Sequence, residues 1–250
     1  MSVAKVFCIA HKVVPYGLPF DSVVKPLQVG FGERFCTFRD DDCEDNIAGW
    51  NAVFAELTAI YHIWKNVKAD YKGQFQYRRR LPIDETTDFD ELFKEHSVIT
   101  CKPAFFRDSV YQAYCSLHSR KDMELLEEII RDLHPEYLEN FNILLKQGRQ
   151  IFYSNGFVMP ADEYDKYCEW LFGILWEFIR RSGWESPQDV AYSVGQDIRK
   201  KKRNPHNYLK YQMQIGGFLS ERLWTLYLQS NFPPEKVLMA SYQLMENTAL

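Results

Sequence analysis

A glycine-rich phosphate loop, paired cysteines and a long apolar run are all missing from this 250-residue chain, and each absence closes off a class of function. The only glycines with loop spacing are Gly30 and Gly32 in VGFGERF, a G-x-G with no third glycine and no helical pattern behind it, so a dinucleotide fingerprint carries little weight. The six cysteines, Cys8, Cys36, Cys43, Cys101, Cys115 and Cys168, form no CxxC pair and stand mostly beside apolar residues. Free thiols in a reducing cytosol are expected, and a zinc site is not. No segment approaches the roughly 20 apolar residues that span a bilayer, and the first residues hold no apolar run long enough for a signal peptide, so none is expected. A cytoplasmic protein is expected, touching the inner face of a membrane at most from its surface. Nor is positive charge in excess: 30 Lys and Arg against 34 Asp and Glu give a net charge of −4. The chain as a whole is therefore not a nucleic-acid binder, and any basic site must be local.

What is present is a globular composition, 46% hydrophobic, 16% aromatic and 26% charged. The length fits one α/β domain over residues 1–250, with helical elaboration in its second half. Residues 45–80 organise the rest. Trp50, Val53, Phe54, Leu57, Ile60, Tyr61 and Trp64 make a single stripe of helical period, which predicts one helix with a buried face. Glu56 falls in the flanking row with Ala52, Ala59 and Ile63, so its carboxylate sits at the edge of the buried side and needs a partner. The segment after Asp70 alternates, with Gln74, Gln76 and Arg78 on one face of a strand and Phe75, Tyr77 and Arg79 on the other. Its arginines can supply that partner or can hold phosphate oxygens.

Other segments frame this one. Residues 5–11 (KVFCIAH) read as a buried parallel strand opening at its carboxyl end into a loop with His11 and Lys12, either a nucleotide contact or a solvated pair. The acidic run 40–42 reads as a solvated turn, with a divalent-cation loop as the competing reading. Residues 97–101 form a second strand candidate. Packing helices are expected within 109–146, where Tyr111, Tyr114 and His118 share a face that either packs or borders an acceptor. Residues 150–159 (QIFYSNGFVM) read as a strand interrupted at Asn155-Gly156, by a bulge or by a close-approaching ligand. An amphipathic helix follows over 164–181. The dense basic run RKKKR, 199–203, reads as an exposed loop, with an anionic membrane surface as a second reading and nucleic acid as a third. Gly216-Gly217 lead into a helix over 218–229 whose first turn holds Glu221. There a carboxylate is kept ionised by the helix dipole and suits a base or a stabiliser, or pairs with Arg222.

The order Asp45-Asn46-Ile47, Asn51, Glu56-Leu57-Thr58-Ala59, Tyr61, Trp64-Lys65-Asn66, Asp70-Tyr71, Gly73, Tyr77-Arg78-Arg79 resembles the bacterial glycosyltransferases of capsular polysaccharide and exopolysaccharide biosynthesis. FYSNGFVM, YCEWLF and GFLSERL agree with further blocks of that family in the same order. Departures are Gln76, where the family has His, Arg80 in place of an aromatic, and His62 in place of Trp. The resemblance implies a GT-A-like fold, a nucleotide-sugar donor, and transfer of a hexose, with inversion favoured, to a growing and lipid-linked glycan. It implies a donor contact from Asp45 and Asn46, and the residues' own chemistry adds His11, Lys12, Asn51, Gln76, Arg78 and Arg79 as expected donor contacts. It places Asn155 and Gly156 on the acceptor side, where helical spacing adds Tyr111 and His118 as candidates. Glu221 is the expected base, with Glu56 a weaker candidate whose main expected duty, like that of Arg222, is structural. Mn²⁺ or Mg²⁺ is compatible with such a fold, but no Asp-x-Asp closes the strand, where Gln76-Tyr77-Arg78 stands instead. The competing class is a non-enzymatic nucleotide- or RNA-binding module built on the basic runs 78–80 and 199–203, which the net acidity disfavours.

Overall fold

Residues 2–201 and 205–245 are described in the computed structural model, the side chains of 197–201 and 205–207 excepted. In chain order the strands are β1 (Ala4–Ala10), β2 (Val24–Gln28), β3 (Phe38–Arg39), β4 (Tyr71–Gln76), β5 (Arg79–Arg80), β6 (Val98–Cys101), β7 (Ala104–Phe105), β8 (Gln150–Ile151), β9 (Phe157–Pro160), β10 (Val237–Ala240) and β11 (Gln243–Leu244). The helices are α1 (Asn51–Phe54), α2 (Leu57–Asn66), α3 (Phe89–Glu95), α4 (Val110–Leu117), α5 (Arg120–Leu133), α6 (Leu138–Asn140, continued by a π-helical stretch Phe141–Gln147), α7 (Ala161–Arg181), α8 (Pro187–Lys201), α9 (Pro205–Gln212) and α10 (Ile215–Asn231).

The main sheet runs β10-β6-β9-β4-β1-β2-β3, with β5 and β11 attached beside β4. β1 is parallel to both β2 and β4, and β6 is parallel to β10. β9 lies antiparallel between β4 and β6. The carboxyl ends of β1, β2, β4 and β6 therefore share one edge, and the chain enters β9 from that same edge. Alternation sorts the faces: Phe7 and Ile9 pack with α2, α5, α7 and α10, while Val6, Cys8 and Ala10 pack with Phe75, Ile99 and Phe89 on the other side. This is the expected α/β architecture, a mixed sheet flanked by helices with the helical mass in the second half.

The expected single helix over the Trp50–Trp64 stripe is broken. α1 ends at Phe54, Ala55 takes φ 49° and ψ −127°, and α2 begins after Glu56. The cause lies elsewhere in the sequence. α10 presses its first turn against the break so closely that a Cβ on Gly216 would stand 2.2 Å from Phe54 Cδ1, and one on Gly217 3.3 Å from Ala55 Cβ. Asn51 Nδ2 donates to Ala55 O at 2.8 Å and so satisfies a carbonyl that a continuous helix would have used. The stripe survives because both pieces bury the same side: Val53, Phe54, Leu57 and Ile60 are all inaccessible.

Four further expectations change. β4 stops at Gln76 and the chain turns through Tyr77-Arg78 into β5, pairing Gln76 with Arg79, so the two-faced alternation does not reach the arginines. The segment 150–159 is not one interrupted strand: β8 pairs with β7 in a separate ribbon, and only β9 joins the main sheet. α10 starts at Ile215, which makes Gly216-Gly217 part of the helix and puts Glu221 in its second turn. Of the basic run 199–203, residues 199–201 close α8 instead of forming a loop, and Lys202 and Arg203 lie outside the described residues.

A candidate active site where two glutamates meet

The break before α2 sets Glu56 at the carboxyl edge of the sheet, facing the end of β4. Gln76 Nε2 donates to Glu56 Oε1 at 2.9 Å, and Asn155 Nδ2 donates to the same oxygen at 3.2 Å. The expected arginine partner is not found among the described residues: neutral amides hold this carboxylate, and β4 ends at Gln76, two residues before Arg78. Besides these amides, only its own backbone N–H is bonded to it among the described residues.

The second carboxylate comes from α10. Glu221 Oε1 accepts from Ser154 N at 3.0 Å, and Oε2 accepts from Arg222 Nη1 at 3.1 Å. Arg222 also donates to Phe218 O and lies over the Tyr114 ring. Both oxygens of Glu221 are thus engaged. Burial raises the Glu221 pKa, with Arg222, the Ser154 N–H and Arg79 opposing it. Burial and then the Glu221 charge push Glu56 up to about 7. The two carboxylates are coupled, and the Glu221 charge adds to burial in favouring the proton on Glu56.

The loop into β9 is shaped for this meeting. Ser154 and Asn155 are consecutive non-glycine residues at positive φ, 68° and 46°. Such strain persists only where surrounding contacts over-determine it. Here Gln74 Nε2 donates to Asn155 O at 2.7 Å, Tyr164 OH donates to Gln74 Oε1 at 2.8 Å, and Asn155 Nδ2 also reaches Ser220 Oγ at 2.9 Å. Asn155 is wholly buried and its Oδ1 has no hydrogen-bond partner. Gly156 is held by Thr100 Oγ1 on its carbonyl and lies against Cys101.

Along the same edge, cations gather. The His11 ring meets Tyr77 edge to face at 5.4 Å, and its pKa is lowered by burial and by Arg78, Lys12 and Lys210. Arg79, on the other side of the turn, faces the Glu221 side and approaches Gln76 Oε1 at 3.4 Å. A strip therefore runs from positive charge at the end of β1 to paired carboxylates beneath α10. At the end of β4 the donor groups are an amide and guanidinium side chains. That chemistry does not fit a divalent cation, and among the described residues no three His, Cys, Asp or Glu side chains converge as a ligand set.

Of the residues singled out in the sequence, the structure brings together Glu221, Arg222, Glu56, Gln76, Asn155 and Arg79, with His11, Lys12 and Arg78 adjoining. Asp45 and Asn46 are elsewhere. Asp45 accepts from Tyr61 OH and, through its carbonyl, from Asn66 Nδ2, at the carboxyl end of α2 and hence at the opposite edge of the sheet. Asn46 folds onto its own loop, accepting from Ala48 N. Asn51 is consumed by the helix break. Tyr111 lies near Arg120, Glu124 and Glu127, away from the glutamates. His118 is buried, stacked on Phe218 and bonded to Gln212 at 2.9 Å, so it faces no acceptor. Asp40, read as part of a solvated turn, is buried beneath Thr58 with its pKa raised to about 6 by burial.

Sequence reasoning missed Ser154, Lys210, Tyr153 and Tyr211. The two tyrosines both sense the Glu221 charge and flank it. Only the FYSNGF block hinted at any of them. A pocket of about 70 Å³ behind α9, lined by His118, Asp122, Tyr208 and Gln212, does not include the glutamates.

Comparison with known proteins bears on the fold and the family. The apo structure of WbbM, a bifunctional glycosyltransferase, matches with a TM-score of 0.70 and 24% identity over 98% of this chain and 46% of that one. The likeness establishes a GT-A-like fold, and the chain spans about half the length of that protein. No curated protein matches. No helix among the described residues is long and apolar enough to cross a membrane. The match to a family over residues 5–193 decides membership: this chain belongs to the family described as the domain of unknown function DUF4422.

Proposed function

We propose that the chain is a nucleotide-sugar-dependent glycosyltransferase in which Glu56 takes the acceptor proton and Glu221 tunes it. The observation that carries this reading is the meeting of Glu56 and Glu221 beside a cationic strand edge, with only two neutral amides and its own backbone N–H bonded to Glu56 among the described residues. A glycosyl transfer needs both ends of that strip: positive charge for the departing diphosphate and a carboxylate for the attacking hydroxyl.

The acceptor oxygen attacks the anomeric carbon as the bond from that carbon to the diphosphate oxygen breaks. The hydroxyl proton passes to Glu56 Oε2, and the nucleoside diphosphate leaves with the bonding electrons, met by His11, Lys12 and Arg78. One displacement inverts the anomeric centre. Asn155 orients Glu56 from a buried position, half-buried Gln76 both orients it and presents its amide to the donor sugar, and Tyr153 and Tyr211 offer ring faces to the acceptor. A pKa of about 7 suits Glu56 to this role, since it accepts a proton readily near neutrality. The sequence resemblance supports a hexose donor and a lipid-linked surface glycan as acceptor. A base assigned to Glu221 is less favoured, because both of its oxygens are already bonded.

The test is turnover of a panel of nucleotide sugars, read as nucleoside diphosphate release with and without glycan acceptors. The wild type should consume one donor, and Glu56→Gln should lower that rate by about 100-fold or more while the protein stays folded. Absence of turnover and of binding for every donor would remove the reading.

A further inference from the structure

The turn that follows β4 is held from the far end of the chain. β5 consists of Arg79 and Arg80, and it meets β4 through the single pair Gln76–Arg79. A ribbon of that size is marginal by itself. β11 supplies the second side: Leu244 pairs with Arg79, Gln243 pairs with Arg80, and Met245 N donates to Arg78 O at 2.9 Å. This attachment is made by backbone. Tyr242, Gln243 and Leu244 are exposed, and no residue of β11 enters the core on either face of the sheet.

From β5 the contacts run on to the candidate base. Arg79 Nη1 donates to Gln76 Oε1 at 3.4 Å, and Gln76 Nε2 donates to Glu56 Oε1 at 2.9 Å. An amide has one accepting end and one donating end, whereas a guanidinium can only donate. Arg79 therefore takes the oxygen of Gln76 and leaves its N–H for Glu56. With Arg79 withdrawn the amide is free to rotate, and its oxygen turned toward Glu56 would repel the carboxylate. Arg79 and Gln76 are both half-buried, so packing alone does not lock either side chain.

We propose that β11 is a positioning strand for the candidate active site: it holds β5 beside β4, β5 presents Arg79 to Gln76, and Arg79 turns the Gln76 amide toward Glu56. This rests on the glycosyl-transfer reading for the chemistry that Glu56 performs, while the relay itself is a property of the folded chain without ligand.

The test follows the Glu56 carboxyl carbon by NMR in the full chain without ligand, beside melting curves and donor turnover. Met245→Pro removes the N–H that reaches Arg78 O and changes no charge, so a shift at Glu56 can come only through geometry. The Gln76 hydrogen bond lowers the proton affinity of Glu56, and its loss should move the Glu56 titration to higher pH. A chain ending at Tyr242 should show the same shift. In a Gln76→Met background Met245→Pro should have little further effect, which separates the relay from a general loss of structure. Donor turnover in Met245→Pro should fall about tenfold in kcat/KM, the scale of one hydrogen bond. A Glu56 titration that stays in place in both Met245→Pro and the shortened chain overturns the proposal, as does an equal shift on Met245→Pro with and without Gln76. A melting temperature that collapses in both variants makes β11 a structural strand and overturns it too. A wild type that turns over no donor, while the titration shifts as expected, overturns the glycosyl-transfer reading and leaves the relay standing.

Discussion

The two ends of α2 carry the same kinds of residue, a carboxylate, an asparagine and a nearby aromatic, yet they are built in opposite ways. At the carboxyl end Asp45 has the Tyr61 hydroxyl, Asn66 closes the loop, and no residue from Asp45 to Trp50 has a positive φ. At the amino end Ala55, Ser154 and Asn155 all sit at positive φ around a carboxylate whose pKa is raised to about 7. One end is satisfied and the other is held under strain by its neighbours, which is how chemistry is distinguished from packing when both use carboxylates.

The sharpest way to break this contrast is to change each carboxylate in turn. Glu56→Gln should cost about 100-fold or more in transfer, whereas Asp45→Asn should leave transfer within about twofold, both read in single-turnover assays. Equal losses would erase the distinction. Next in size is Gly216→Ala, whose new methyl would meet the Phe54 ring. It should lower stability by about 1–3 kcal/mol in denaturant melts and disturb Glu56 with it, since the break and the α10 contact are one feature.

The stability of the strained end should also depend on pH. The Glu56 carboxyl moves from 4.5 in the unfolded chain to about 7 in the fold, so the unfolded state loses its proton first as pH rises. Glu56 therefore weakens folding progressively between about pH 4.5 and 7, by about 2–3 kcal/mol in all, and its contribution is most favourable below that window. Melts of Glu56→Gln across the window should be flatter than wild type, and parallel curves would contradict the assignment. Smallest of all, Ala55→Gly should relieve the positive φ and leave stability equal or up to about 1 kcal/mol higher, while Asp45→Ala should cost about 1 kcal/mol or less.

The same contrast marks what the sequence could reveal. Period-two and helical patterns are local, so β1, β6, α7 and the apolar stripe of α1 and α2 were legible from their own residues. The break at Ala55 was not, because it depends on Gly216 and Gly217 some 160 positions away, and a stripe that continues across a break reads as one helix. That single miss placed Glu56 in the middle of a helix and gave it an arginine. The turn at Tyr77-Arg78 was hidden for a similar reason: β5 exists only because β4 and β11 pair with it. Asp45 and Asn46 shared a motif with Glu56 but not an edge of the sheet, a distinction that needs the direction of α2 relative to β4. Glu221 and Asn155 were found because each stood in a recognisable block that holds a glycine, GFLSERL and FYSNGFVM, and their meeting with Glu56 is a tertiary fact.

The central claim, that the Glu221 charge adds to burial in raising the proton affinity of Glu56, is tested most directly by the pH dependence of kcat/KM for transfer in the wild type and in Glu221→Gln. The wild type should show a rising limb with an apparent pKa near 7. In Glu221→Gln the neighbouring negative charge is gone, so the limb should move to lower pH while activity persists. A limb that stays in place, or activity that vanishes in Glu221→Gln while Glu56→Gln retains it, would contradict the account.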